Sequence, residues 1–183
     1  MVRRCLKGDA DAIRALIERF QVEVLSLCLR LLRNRHDAED VSQEVFVRVF
    51  RSLHRWDVKR PLRPWIMGIA VNRCRTWLSQ RMKRPELVDY LHETAASRAA
   101  DDSQELVHEI AAALEALRPD YRTVFVMFHE LGHPYEEIAE AMDRPVGTIK
   151  TWLHRARTEV LEKLRSRGMV EEEASEKPSQ VRP

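Results

Sequence analysis

The chain has 183 residues, 44% of them hydrophobic and 33% charged, and this balance excludes fibrous, low-complexity and membrane-spanning classes. Its formal net charge of +2 is too small to argue for a nucleic-acid partner by itself, but the charge is unevenly placed. Residues 58–84 carry eight basic side chains (Lys59, Arg60, Arg63, Arg73, Arg75, Arg81, Lys83 and Arg84) and no acid, a pattern suited to polyanion contact or to a solvated helix face, whereas residues 86–120 carry nine acids against Arg98 and Arg118.

The N-terminal MVRRCLKGDADAI has no apolar stretch after its basic residues, unlike a secretory signal. The most apolar run, 24–32, is broken by Ser26 and Arg30 and falls short of the ~20 residues needed to span a bilayer. A cytoplasmic protein with no membrane insertion is therefore expected. Asp9 can cap a first helix whose apolar stripe is Ile13, Leu16, Ile17, Phe20, Val24, Leu27, Cys28, Leu31 and Leu32, spaced by threes and fours. After the turn Arg33-Asn34-Arg35, a second helix starting at His36 or Asp37 carries Ala38, Val41, Val45, Val49 and Leu53. Residues 56–64 hold two prolines and read as a loop, followed by a third helix from about Trp65 to Met82. Cys5, Cys28 and Cys74 show no metal-ligand or disulfide-framework spacing and read as small buried hydrophobes or idle thiols.

Residues 85–103 lack clean periodicity and read as a linker. The helical period returns at Leu106, Ile110, Ala113, Leu114 and Leu117, and Leu117-Arg118-Pro119-Asp120 marks one helix end and the next start. A helix over roughly Tyr121 to Leu131 is ended by Gly132-His133-Pro134. Tyr135 to Met142 forms a short helix, 143–146 a turn, and Gly147 to about Leu164 a last helix with Ile149, Leu153, Ala156, Val160 and Leu164 on one side. Beyond Gly168 the sequence has the composition of a disordered tail. The expectation is an all-α chain of two small domains joined by a flexible linker, an N-terminal unit of three to four helices and a C-terminal domain of four. The boundaries fall at 1–84, 85–103, 104–167 and 168–183.

Two helices of unequal length joined by a four-residue turn are the pattern of a helix-turn-helix, whose second helix enters the major groove. With Ile149, Leu153 and Ala156 facing inward, Lys150, Thr151, His154 and Arg155 share the outward face and are suited to reading base edges. Thr148 and Arg157 are better placed for phosphate. An ordinary basic surface helix closing an all-helical domain is the plainer alternative.

The segment from Leu117 to Leu164, with its core GTIKTWLHRAR, resembles the promoter-reading C-terminal domain of the sigma-70 family, close to the ECF subgroup. Two N-terminal motifs resemble the same family: Asp37-Ala38-Glu39-Asp40-Val41-Ser42-Gln43-Glu44-Val45-Phe46 its polymerase-binding helix, and Arg63-Pro64-Trp65-Ile66 with Ile69-Ala70-Val71-Asn72-Arg73 its promoter-opening helix. The matches cover about residues 8 to 165 in the family's order with no third domain between them. The resemblance implies that Asp37, Glu39, Asp40, Gln43 and Glu44 bind core RNA polymerase. It implies that Trp56, Lys59, Arg60, Arg63, Trp65, Asn72, Arg73 and Arg75 capture the opened minus-ten strand, and that Thr148, Lys150, Thr151, His154, Arg155 and Arg157 meet the minus-thirty-five element. It also implies promoter DNA and an anti-sigma factor or other inhibitor as partners. Aromatic stacking and phosphate neutralisation are the physical means of holding a single strand, although Trp65 and Trp77 are more at home in a core. The acidic residues of the second helix also compensate its N-terminal dipole. Thr76, Trp152 and His133-Pro134 depart from the family pattern and bear on promoter preference, not on class.

His129-Glu130-Leu131-Gly132-His133 fits H-E-x-x-H, in which two histidines one turn apart bind zinc. Pro134 drives His133 out of the helical region and Gly132 weakens the last turn, so the continuous helix that such a site requires is not expected. No other catalytic or cofactor-binding pattern is present, and neither an enzyme nor a bound metal or cofactor is expected. The remaining rival is a helix-turn-helix regulator that binds duplex DNA without polymerase.

Overall fold

The computed structural model describes residues 1–82 and 102–169, and every regular element among them is helical. The expected linker lies outside the described residues except for Asp102 and Ser103, which already belong to a helix, and the expected tail lies outside them from residue 170. The N-terminal half holds α1 (Val2–Cys5), α2 (Ala10–Leu32), α3 (Arg35–Ser52) and α4 (Leu62–Met82). The C-terminal half holds α5 (Asp102–Glu115), α6 (Pro119–Phe125), α7 (Tyr135–Met142) and α8 (Val146–Ser166).

The boundaries follow local chemistry. Asp9 accepts a hydrogen bond from the Ala12 N–H and so satisfies one of the orphan donors at the start of α2. Arg33 ends α2 in the left-handed region, at φ 59°, and Asn34 caps α3 by accepting from the Asp37 N–H at 3.0 Å. The second helix thus begins one residue before His36, because the cap is Asn34. The third begins earlier than expected, at Leu62: Pro64 sits in its first turn, where a missing N–H has no intrahelical partner to lose. The one-turn α1, which packs Cys5 under α2, carries too few residues for periodicity to reveal it.

Pro119 opens α6, which continues past Phe125 as a wide π turn over Val126–Glu130, with the Leu131 N–H reaching back to the Val126 carbonyl at 3.1 Å. Gly132 then turns the chain at φ +68°, a conformation costly for any residue with a Cβ, and the His133 N–H closes on the Met127 carbonyl at 2.9 Å. Helical structure therefore ends before Pro134.

The stripes of α2, α3 and α4 meet in a core centred on Leu16, Val24, Leu27, Val41, Val45, Ile66, Met67 and Val71, each essentially removed from water. Fully burying a side chain of this kind stabilises by about 1.5–3 kcal/mol. That core continues into the other half through Val124, Met127, Ile138, Met142, Ile149 and Leu153, and a second, smaller cluster in the C-terminal half joins α5, α6 and α8 through Ala113, Leu117, Tyr121, Ala156 and Val160. The two halves are packed together, chiefly α4 on α7. Gly68 permits this approach, since a Cβ there would stand 2.8 Å from the Ala141 carbonyl oxygen.

Candidate nucleic-acid interface

On α8, burial of Ile149, Leu153, Ala156, Val160 and Leu164 leaves Lys150, Thr151, His154 and Arg155 exposed together on the far side. Thr148 is half-buried at the helix start. Several of these side chains are already engaged. The Arg155 guanidinium donates to the Tyr121 hydroxyl at 3.1 Å, and Lys150 lies 5.5 Å over the Tyr135 ring. Arg157 stacks over Phe128 and donates to His129 Nε2 at 2.9 Å. Burial, and then the neighbouring Arg157 cation, pushes His129 toward its neutral form, which is the form able to accept that proton donor. Trp152 packs beside Tyr121, and Arg118 lies over both rings.

The acidic helix α3 presents two kinds of group. Asp37 pairs with Arg81 at 2.8 Å, Glu39 with Arg35 at 2.8 Å, and Glu44 with Arg73, which holds the Glu44 carboxyl below its ordinary value. Asp40 and Gln43 are exposed and make no hydrogen bond or ion pair among the described residues, and exposed Val47 lies one turn beyond Gln43.

Between α3 and α4 runs an open groove of about 730 Å³ lined by Glu44, Arg48, Arg51, Arg55, Ile69, Asn72, Arg73 and Thr76, among others. It brings Asn72 and Arg73 together and adds three arginines that the sequence reading did not assign. Arg48, Arg51 and Arg55 recur at three- and four-residue spacing, a signal visible in the sequence but spread among the apolar positions of α3. Lys59 and Arg60 are exposed on the loop before α4, shaped by Asp57, whose carboxylate accepts from the Lys59 N–H at 2.9 Å. Trp56 is half-buried with its indole nitrogen covered, and Trp65 is packed against the core, so neither ring stands free as a stacking platform in this conformation. Arg63 and Arg75 are turned away from the groove, toward the C-terminal half. Arg75 donates to Asp120 at 2.7 Å, and Arg63 meets Glu23 at 2.7 Å and Glu137 at 2.9 Å.

His133 completes this last cluster. Its side chain is wholly buried, with Nδ1 3.0 Å from Glu137 and Nε2 2.8 Å from Glu23, the latter off the line of a good hydrogen bond. The two carboxylates flank opposite edges of the ring, and His129 is turned to Arg157, so the H-E-x-x-H histidines serve separate partners. Among the described residues no group of three or more histidine, cysteine, aspartate or glutamate side chains is arranged to hold a metal ion.

Burial alone would raise the Glu23 carboxyl, but His133 and Arg63 outweigh it and hold the group below its ordinary value of 4.5. Its contribution to stability is therefore present above that value and lost as the pH falls through the lower folded one. The melting-temperature gap between the native chain and Glu23→Gln should be open at neutral pH and narrow progressively as the pH falls below 4.5. A gap constant across that range would show that Glu23 does not titrate with folding.

Comparison with known proteins gives two family matches, "Sigma-70 region 2" over residues 16–84 and "Sigma-70, region 4" over residues 108–160. The chain is 31% identical to the ECF RNA polymerase sigma factor SigW of Bacillus subtilis, covering 90% of this chain and 95% of that protein. It is 32% identical to the ECF RNA polymerase sigma-E factor of Haemophilus influenzae, covering 90% and 93%. In fold it is similar to CnrH, solved in complex with the cytosolic domain of CnrY, with a TM-score of 0.68 at 22% identity over 90% of this chain and 95% of that one. It is also similar to the sigma factor RpoE of Bartonella quintana, solved with the anti-sigma factor NepR, with a TM-score of 0.69 at 19% identity over 85% and 98%.

Proposed function

The chain belongs to the sigma-70 family as an ECF-type RNA polymerase sigma factor, and on that premise we propose how its surfaces divide the work of initiation. It binds core RNA polymerase and directs transcription from particular promoters. We assign residues 1–84 to sigma region 2, 104–167 to sigma region 4 and the stretch between them to a linker. Asp40 and Gln43 face the polymerase with Asp37, Glu39 and Glu44 around them. Lys59, Arg60, Asn72 and Arg73, together with the groove arginines, hold the opened minus-ten strand, and Trp56, Trp65, Arg63 and Arg75 join them after rearrangement. On α8, Lys150, Thr151, His154 and Arg155 read the minus-thirty-five element, with Thr148 and Arg157 at its backbone.

The observation that carries this division is the contrast along α3: Asp40 and Gln43, exposed and without a hydrogen bond or ion pair among the described residues, stand in its N-terminal half, and the groove arginines Arg48, Arg51 and Arg55 follow toward and beyond its C-terminal end. The first end suits a protein and the second a phosphate backbone. No helix among the described residues is long and apolar enough to cross a membrane, and the chain acts in the cytoplasm with the polymerase. It catalyses nothing itself. An anti-sigma factor is a further partner, as for the Bartonella quintana chain.

Transcription in vitro with purified core polymerase on genomic fragments tests the reading. Discrete start sites that need both the chain and the polymerase are expected. A chain that protects duplex sites without polymerase and adds no initiation would instead be a helix-turn-helix regulator.

A further inference from the structure

We propose that Cys28 and Cys74 form an oxidisable dithiol, a modification site at which a peroxide closes a disulfide between α2 and α4. The two sulfurs stand 3.7 Å apart although the residues are 46 positions apart in the chain. Both side chains are wholly buried, Cys28 in the apolar stripe of α2 and Cys74 one turn from Ala70 and Val71 on α4. A disulfide is about 2.05 Å long, so the sulfurs must approach by roughly 1.7 Å, which is within reach of side-chain rotation. A thiol pair facing across a helix crossing differs from an isolated cysteine, because each sulfur has the other as a resolving partner.

In the packed state the pair is quiet. Its hydrogen bond to Cys28, with burial behind it, holds the Cys74 thiol far above its ordinary value, so no thiolate attacks from the closed crossing. Reaction waits on local opening of α2 against α4. One thiol then gives its proton to water and its sulfur attacks a peroxide oxygen; the O–O bond breaks, and the departing hydroxide takes up a proton and leaves as water. The second sulfur attacks the sulfenic acid so formed, losing its own proton as the S–S bond forms, and the sulfenic hydroxyl leaves with a proton as a second water. Two thiols and one hydrogen peroxide thus give one disulfide and two waters, the sulfurs losing the two electrons that the peroxide gains. Because the second sulfur is already in place, oxidation stops at the reversible disulfide instead of climbing to sulfinic acid.

The bridge ties α2 to α4 and encloses α3, which carries Asp40, Gln43, Arg48 and Arg51. It therefore staples the frame on which those surface residues stand. Spacing in the sequence does not reveal the pair, since Cys28 is nearer to Cys5 along the chain than to Cys74. In an unfolded chain, loop closure favours the shorter Cys5 to Cys28 loop. The pairing that forms thus reports whether the folded crossing directs it.

The reduced full chain is treated with hydrogen peroxide, blocked with iodoacetamide in denaturant and mapped by mass spectrometry. The Cys28 and Cys74 peptides should be joined and Cys5 alone alkylated, with a yield independent of protein concentration, and dithiothreitol should return all three cysteines to the free thiol. The same treatment in enough urea to unfold the chain should join mainly Cys5 to Cys28. The bridged chain should melt about 5 °C or more above the reduced one, and peroxide should give no such shift in Cys74→Ala. Cys28 and Cys74 that stay free or pass to sulfinic acid, or a folded chain that joins Cys5 to Cys28, would overturn the dithiol. A bridged chain that melts below the reduced one would overturn the staple. The mapping uses the native chain and stands whether or not Cys74→Ala folds.

Discussion

Core polymerase should bind the Asp40→Ala, Gln43→Ala variant at least about tenfold more weakly than the native chain, with helical content and melting temperature almost unchanged. Both residues are exposed on α3 and neither makes a hydrogen bond or ion pair among the described residues. Surface substitutions without such ties usually shift stability by no more than about 0.5 kcal/mol. A hydrogen bond to a charged group contributes about 1.5–3 kcal/mol, so losing one such contact at an interface already accounts for tenfold in affinity. Asp37 and Glu44 make a useful contrast. Their pairs with Arg81 and Arg73 tie α3 to α4, so Asp37→Ala with Glu44→Ala should lower both binding and melting temperature. Isothermal titration with core enzyme, beside thermal melts of the free chain, separates the two. An Asp40, Gln43 variant that melts early and binds normally would make that face structural.

Transcription from closed duplex templates should fall at least about a hundredfold when Arg51→Ala, Lys59→Ala and Arg60→Ala are combined, since three charge-assisted contacts of about 1.5 kcal/mol or more each are removed. These three are preferable to Trp56 as probes. Trp56 is half-buried with its indole nitrogen covered, so its removal would disturb the fold as well as the strand, whereas Arg51, Lys59 and Arg60 are exposed. A template with a pre-melted bubble should largely restore the triple variant, because strand separation no longer has to be driven by capture. Arg155→Ala should lose about 1–3 kcal/mol of base discrimination and gain nothing from the bubble. Permanganate reactivity of unpaired thymines, with core polymerase present, reports opening on both templates. If the bubble rescued both variants or neither, strand capture and upstream reading would not reside in different halves.

Much of this was determined by the sequence alone. The stripe from Leu16 to Leu32 dictates α2, and the alternation of Ile149, Leu153, Ala156 and Val160 dictates which side of α8 is left for a ligand, because a 3.6-residue period needs no knowledge of distant contacts. Pro134 likewise settles the end of the preceding helical stretch and separates the two histidines of the zinc-like pattern. The three family motifs are local in the same sense, and their order carried the class.

What only the tertiary structure decided lies between residues far apart in the chain. Arg63 and Glu137 are 74 positions apart, and Arg75 and Asp120 are 45 apart. An ion pair at such separation leaves no periodicity, so nothing in the sequence shows that packing of α4 against the C-terminal half pairs these two arginines with carboxylates. The groove arginines Arg48, Arg51 and Arg55 gained meaning only when α3 lay against α4 and brought them beside Asn72 and Arg73. Nothing in the sequence around Gly68 shows that the Ala141 carbonyl packs against it; only the crossing of α4 and α7 does. Periodicity says which face a helix buries, whereas the neighbour that covers the rest depends on how the helices cross, and that is fixed by packing of the whole chain.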